Sequence, residues 1–578
     1  MVFNFAIIGG GLTATSMLYQ FVDKVRRENE RILAKSPKIH IQIFEKQATF
    51  GPGFPHCDRN VMPFHITNMC AKDMGIPLTN PADFQEWVTD HQEHLKELTP
   101  YLHNGTDDPD QCNHYPRAIM GAYLKERFQG ACQEAQKLGL AVDLYSQSEV
   151  IDLEVKHNKI RLTVKDLKSA STFSCVADRV LLATGHWFAK MDGATYFPSP
   201  WPANKLLRKI PEGEKVAVIG TSLSAIEAVL TLTSDGHFVR DDSNLLVYVP
   251  PAYPRRFVLY SRRGLLPKVR GKMGGYRNTF LTRKNMESLM AENQGYIKLE
   301  AVFELLNCEL KAAYGHSIDW QAVVNPSRTP ADLLQQYLED ARNGDGPDGE
   351  LIWQTVLYQS FDMAREIYLS LSLEDKKFFD QELTSVFFTH AATQPAINAE
   401  KMLALMRSGH VEVVKLGRSY RFVKNDTKGV YEFLYQNSAG KQQRVRYHYV
   451  VDARGQAKSI QTDSSRLTKN LLKRGVVQIE EIQPTQAGEK QNKMRGKQRN
   501  SHDLVYKTGS VWIDPHTQCI IRGVSAGKIN ELNAIYAVGA MTRGQIIDAS
   551  MARGIVQSTA TIADSLIRYL KDRQINDR

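Results

Sequence analysis

The chain has 578 residues, 42% hydrophobic and 24% charged; it is too long for one hydrophobic core, and its composition excludes a disordered or fibrous protein. No run of about 18 apolar residues is present, so neither a membrane-spanning segment nor, with strand-forming residues starting at Phe3, a secretory leader is expected. The formal net charge of +10 permits nucleic acid or an anionic surface as partner and equally suits a protein that holds polyanionic cofactors.

"FAIIGGGLTA" (5–14) is an apolar strand running into Gly9-x-Gly11-x-x-Ala14. Gly9 permits the tight turn, Gly11 lets backbone approach a pyrophosphate, and Ala14 lets a helix pack on the strand. The free N–H groups and positive end of that helix suit phosphates. Met17, Leu18, Phe21, Val22 and Val25 carry its apolar stripe. A second strand, "IHIQIFE" (39–45), ends in Glu45, the expected acceptor for ribose hydroxyls. The interval to it is longer than usual, and "RRENERILAKSP" predicts a helix extended into solvent. The turn alone does not separate FAD from NAD. Farther on, "RVLLATGHW" (179–187) is an apolar strand that breaks at Gly185, where the chain can turn beside a cofactor.

The stretch "KVAVIGTSLSAIEA" (215–228) repeats the first design with Gly220 and Ala225 in the outer places. Ser222 stands where the middle glycine belongs and still offers its N–H and hydroxyl to a phosphate, and Ser224 joins the candidate contacts. The next strand, "RFVLYSRRG" (256–264), ends in Ser261-Arg262-Arg263. Two guanidinium forks there suit a ribose 2′-phosphate, which favours NADPH over NADH; a solvated basic strand end is the plainer alternative. Two turns then have a joint explanation: one holds a flavin that stays, the other a nicotinamide that exchanges.

Residues 276–410 read as a long, mostly helical insertion, as in "ADLLQQYLEDARN" and "ELIWQTVLYQSFDMAREIYLSL". It either caps the active site or binds a protein partner. "YVVDARG" (449–455) and "AIYAVGAMTRG" (534–544), with Gly539, repeat the strand-glycine design. A helix over 554–570 follows, with Ile555, Thr559, Ile562, Leu566 and Leu570 on one side and its start turned to the flavin carbonyls. The basic stretch 489–501 has no interleaved aromatics and reads as a solvated loop, so no specific nucleic-acid partner is expected. The expected division is 1–200 (FAD-binding, first part), 201–275 (NADP-binding, first part), 276–410 (insertion), 411–460 (return to the sheets) and 461–578 (FAD-binding, C-terminal part). The fold class is α/β, with two Rossmann-like dinucleotide-binding domains.

The order of "IIGGGLTA", "FGPGFPH" (50–56), "HITNM" (65–69), "YPRAIMGAYL" (115–124), "LLATGH", "SPWP" (199–202), "VIGTSLSAIEA" and "SRRGLLP" (261–267) resembles the FAD/NAD(P)-binding oxidoreductases related to flavin-containing and N-hydroxylating monooxygenases. The likeness covers about 1–270 and 385–570. It implies that Gly51, Pro52, Gly53 and Asn68 lie against the flavin and that Arg117 braces the flavin-side loops. "AVGAMTRG" lacks the aspartate that many flavoproteins place there for the ribityl chain.

No G-x-S-x-G, H-E-x-x-H or Walker A motif is present, so hydrolase and NTPase readings have no support. His56, Cys57, His65 and Cys70 fall close together in a spacing that fits no zinc pattern, and no metal is expected. Seven scattered cysteines without C-x-x-C suit a reduced, cytoplasmic compartment and support no disulfide framework. His186 is a catalytic candidate for contact with nicotinamide or substrate, and a structural hydrogen bond explains it equally well. The expected reaction is NADPH-driven hydride transfer to flavin N5, then oxygenation of a small organic molecule through a C4a-hydroperoxide. The alternatives are a flavin reductase of an organic acceptor and a non-enzymatic flavin-bound scaffold.

Overall fold

The structure is a computed structural model that describes residues 2–28, 38–95, 113–156, 159–188, 195–425, 428–483, 505–525 and 528–576. Two parallel sheets dominate it. In the first, the strand Val2–Ile8 lies centrally between Lys38–Glu45 and Arg179–Leu182, all parallel. Ala141–Ser146 extends one side, and Lys528–Ala537 with the antiparallel edge Cys519–Ser525 extends the other. In the second, Lys215–Ile219 lies between Arg256–Ser261 and Tyr449–Asp452, with Val411–Lys415 and Tyr196–Phe197 outermost.

The two sheets share a chain plan. In each sheet a three-stranded antiparallel meander precedes one strand that leads into a glycine turn: 148–177 before Arg179–Leu182, and 421–447 before Tyr449–Asp452. Central strands such as "FAII" and "VAVI" are apolar on both faces because helices and meander cover them. The helix Leu12–Arg27 buries Met17, Leu18, Phe21, Val22 and Val25 in the first core. The long helix Ala552–Asn576 packs beside it, burying Ile555, Thr559, Ile562, Leu566 and Leu570, and Ser16 Oγ meets Thr559 Oγ1 at 2.7 Å.

Helices run from Arg283–Glu292 to Ala396–Arg407 between the strands Arg256–Ser261 and Val411–Lys415. Pro330–Asn343 and Ala396–Arg407 belong to the second core through Leu334, Leu338, Met402 and Leu405. The helix Ile352–Ser370 instead reaches the first unit. Arg365 makes a bidentate pair with Asp548 (2.8 and 2.9 Å) and donates to the Gly554 carbonyl, while the Tyr358 hydroxyl donates to Asp73 at 2.6 Å.

Among the described residues, the thiols of Cys57, Cys132, Cys175 and Cys308 are free, whereas Cys70 is disulfide-bonded. Cysteine spacing, which supports no disulfide framework, says nothing of which individual thiols the fold brings together. The basic stretch 489–501 and most of the extension after Arg27 lie outside the described residues. No helix among the described residues is long and apolar enough to cross a membrane.

Candidate functional site

The first turn requires glycine for two different reasons. Gly9 has φ +113°, and a Cβ on it would stand 2.1 Å from the Ala183 carbonyl oxygen on the neighbouring strand end. No side chain fits there. Gly11 has ordinary extended backbone (φ −88°, ψ −156°), so its constraint is steric. Its Cβ would stand 3.1 Å from the Cα of Gly53. The segment Gly51–Gly53 lies on the turn, with Gly51 N–H donating to the Gly10 carbonyl at 2.7 Å. Gly51 is itself forced by the helix Arg117–Lys137, since a Cβ there would meet the Lys125 Cα at 2.6 Å. Ala14 is fully buried under the helix.

Around this turn opens a cavity of about 270 Å³. Gly9, Gly11, Glu45, Pro52, Gly53, Asn68, Arg117, Gly185, His186 and Gly539 all line it, so residues far apart in the chain converge on one space. The helix at Ala552 starts on its wall. Glu45 accepts from Gly10 N–H (2.6 Å) and Gln47 N–H (2.7 Å), which holds its carboxylate at the strand end. The helix after Gly11 has no side-chain cap, leaving its first N–H groups for a ligand. Two wall atoms, His56 Nδ1 and Thr67 Oγ1, are buried without a hydrogen-bond partner. Orphaned polar atoms beside an uncapped helix start suit a polyanionic ligand with many acceptors, as FAD is.

Three strand ends meet through one short chain of hydrogen bonds. His186 Nδ1 donates to Gln456 Oε1 at 2.8 Å, and Gln456 Nε2 donates to the Ala540 carbonyl. The turns after Gly185, Gly455 and Gly539 are thereby tied together, and His186 is a positioning group in that tie. Burial holds its pKa below the usual imidazole range, so the ring is neutral.

Arg117 joins the two units. Its Nε donates to Glu227 Oε1 at 2.6 Å, and Glu227 lies on the helix Leu223–Leu232 of the second turn. Beside it, Met62 N–H donates to His65 Nδ1, which leaves Nε2–H to donate to Thr231 Oγ1 at 2.9 Å. Both histidines of the flavin-side loop are neutral. Burial first, and the Arg117 charge second, push His56 down to about 3; burial lowers His65 to about 4, with Glu227 opposing and Arg117 adding.

This sets an acid limit on stability. An unfolded histidine takes its proton near 6.5, whereas folded His65 takes one only near 4. Between those values the unfolded chain binds more protons, so stability falls as pH falls. Each such histidine removes at most about 1.4 kcal/mol per pH unit. The melting temperature is expected to drop steadily from pH 6.5 to pH 4 and to drop less steeply in His65→Gln; identical slopes in a melting series would contradict the assignment.

The second turn copies the first. Gly220 has φ +120°, and its Cβ would stand 3.0 Å from the Ala453 carbonyl oxygen. Ser222 has φ −90° and ψ −172°, nearly the backbone of Gly11, and caps the helix without a side-chain bond. No loop like Gly51–Gly53 is pressed on it; Ser222 is exposed. Serine is tolerated because the middle glycine answers a neighbour that this turn does not have. Ser224 follows in the first helical turn, half-buried. Arg262 and Arg263 stand at the end of the adjoining strand, where each donates to the insertion: Arg262 Nη1 to the Gln381 carbonyl at 3.0 Å, Arg263 Nη2 to the Glu382 carbonyl at 3.3 Å. The strand-end pattern carried no sign of those partners. His56 and Thr67 lie inside the quoted stretches "FGPGFPH" and "HITNM" without being singled out as cavity contacts, and Gln456 lies just past "YVVDARG" in no motif.

Among the described residues no group of three or more metal-ligating side chains gathers. Residues 6–187 match the model of a family described as FAD-NAD(P)-binding. That segment is an FAD/NAD(P)-binding domain. The chain is 24% identical over 477 residues to the uncharacterized protein YdhS of Escherichia coli K12, covering 78% of this chain and 83% of that protein. Its fold is similar to the reduced form of ornithine hydroxylase (PvdA) from Pseudomonas aeruginosa, with a TM-score of 0.50 and 12% identity over 99% of this chain and 100% of the other.

Proposed function

We propose, starting from the FAD/NAD(P)-binding domain at 6–187, that the chain is an NADPH-dependent flavin monooxygenase acting on a small organic molecule. The observation that carries this is an asymmetry between two turns of the same backbone geometry. The first opens on a cavity walled by three strand ends, which suits a cofactor that stays. The second presents an exposed Ser222 and two strand-end arginines, which suits one that exchanges. The fold shared with an ornithine hydroxylase supports oxygen as co-substrate.

FAD, when bound, supplies hydride acceptance and oxygen activation. The chain's residues do the rest. Backbone N–H groups after Gly11 receive the pyrophosphate, and Glu45 receives ribose hydroxyls. Arg117, His56 and Thr67 supply polar contacts in the cavity, and Gly51–Gly53 with Asn68 shape its wall. At the second turn Gly220, Ser222 and Ser224 receive the NADPH phosphates. Arg262 and Arg263, each using one donor on an insertion carbonyl, keep the remaining guanidinium donors for the 2′-phosphate. The His186–Gln456 bond holds together the strand ends that would wall the bound cofactor.

Rapid mixing tests this in two steps. NADPH is expected to reduce the bound flavin, and replacing both Arg262 and Arg263 with Ala should weaken NADPH about thirtyfold while barely changing NADH. Reduced enzyme mixed with oxygen should pass through a transient absorbing species before oxidised flavin returns. Single-phase reoxidation would instead indicate a reductase or oxidase, and failure of NADPH to reduce the flavin would overturn the proposal.

A further inference from the structure

An apolar chamber of about 200 Å³ lies between the flavin-side loop and the helical insertion. It shares Asn68, Met69 and Met551 with the dinucleotide cavity, so the two spaces are neighbours. On its far side is a second apolar space of about 330 Å³, with which it shares Phe303, Leu306, Leu357, Phe379, Phe387 and His390. Together they lead from the cofactor cavity into the insertion and fall within the roughly 300–1,000 Å³ usual for small-molecule sites.

Two arginines, Arg270 and Arg553, interrupt the apolar wall, with Asp73 in the same lining. Arg270 lines the first chamber, and its Nε is buried with no hydrogen-bond partner. The loss of solvent lowers its pKa to about 10, against the opposing influence of Asp73 and Tyr358. Asp73 Oδ1 accepts the Tyr358 hydroxyl at 2.6 Å, and no hydrogen bond joins Asp73 to the Arg270 Nε. A guanidinium kept in an apolar chamber with a free donor is costly unless a ligand completes it. Its planar fork matches a carboxylate, two parallel N–H donors to two oxygens. Arg553 is committed to Asp362, and His390 Nδ1 to the Val386 carbonyl.

We infer that the chamber binds a medium-chain carboxylic acid, its carboxylate on Arg270 beside the cofactor cavity and its hydrocarbon tail running past Leu306 into the insertion. That the acid is the substrate rests on the oxidoreductase reading; the binding site stands on the chamber itself.

The test is calorimetric binding of dodecanoate, dodecanol and butyrate to the full-length, FAD-loaded protein. Dodecanoate is expected to bind, butyrate to bind at least about thirtyfold more weakly for want of tail burial, and Arg270→Gln to weaken dodecanoate about thirtyfold while leaving dodecanol unchanged. Leu306→Trp, which narrows the passage between the two spaces, should weaken dodecanoate and spare hexanoate, and it keeps the test open if Arg270→Gln does not fold. Absence of dodecanoate binding, or equal loss of acid and alcohol in Arg270→Gln, overturns the inference. NADPH reduction of the flavin, followed in the same preparation, separates the two claims: reduction without dodecanoate binding sinks only the chamber assignment, and binding without reduction sinks only the oxidoreductase reading.

Discussion

Gly9→Ala is expected to yield a colourless protein that does not take up FAD. The new Cβ would lie 2.1 Å from the Ala183 carbonyl oxygen, and that oxygen belongs to the end of a central strand that cannot shift alone. The residue would also carry φ +113°, outside the regions open to alanine. Together these should cost about 3 kcal/mol or more and move the wall of the cofactor cavity. Gly11→Val should weaken FAD about a hundredfold by another route, pushing Gly53 and its loop off the turn rather than straining the backbone. Ser222→Gly, at the equivalent place in the second turn, should change stability by under about 1 kcal/mol. Flavin absorbance relative to protein absorbance, FAD titration by fluorescence quenching and thermal melts would check all three. A yellow Gly9→Ala protein with an ordinary melting temperature would refute the geometric account of the turn.

Removing Arg117 is expected to separate two functions that one side chain performs. In Arg117→Ala the Glu227 carboxylate, 3% exposed as a residue, loses its ion pair and stays buried. Stranding a buried charge in this way costs about 3–5 kcal/mol. Glu227→Gln in the same chain removes that charge and should recover much of the melting temperature. FAD affinity should not recover with it, because Arg117 also lines the cofactor cavity. Recovery of both stability and affinity in the double variant would show that Arg117 acts only as a link between the two units.

Some of this architecture was legible because it is local. A strand, a glycine at fixed offset and an amphipathic helix are consecutive in the chain, so both turns, the strand end at Glu45 and the buried stripe of the last helix could be read without knowing any long-range contact. The strand-end glycines 185 and 539 were legible for the same reason. The likeness to FAD/NAD(P)-binding oxidoreductases rested on these pieces in order, and the family match at 6–187 agrees with it.

What the sequence by itself determined, then, is the pair of dinucleotide turns and their order. The tertiary structure decided which residues each turn requires. Whether the middle place needs glycine depends on a loop about forty residues later: Gly53 presses on Gly11, and nothing comparable presses on Ser222. Arg262 and Arg263 gained partners on a segment more than a hundred residues away. The helical insertion is tied to the first unit by Arg365 on Asp548 and Tyr358 on Asp73, contacts that no motif announces. Contacts of this kind depend on which surfaces meet after the sheets have formed, and residue spacing along the chain does not encode that distance in space.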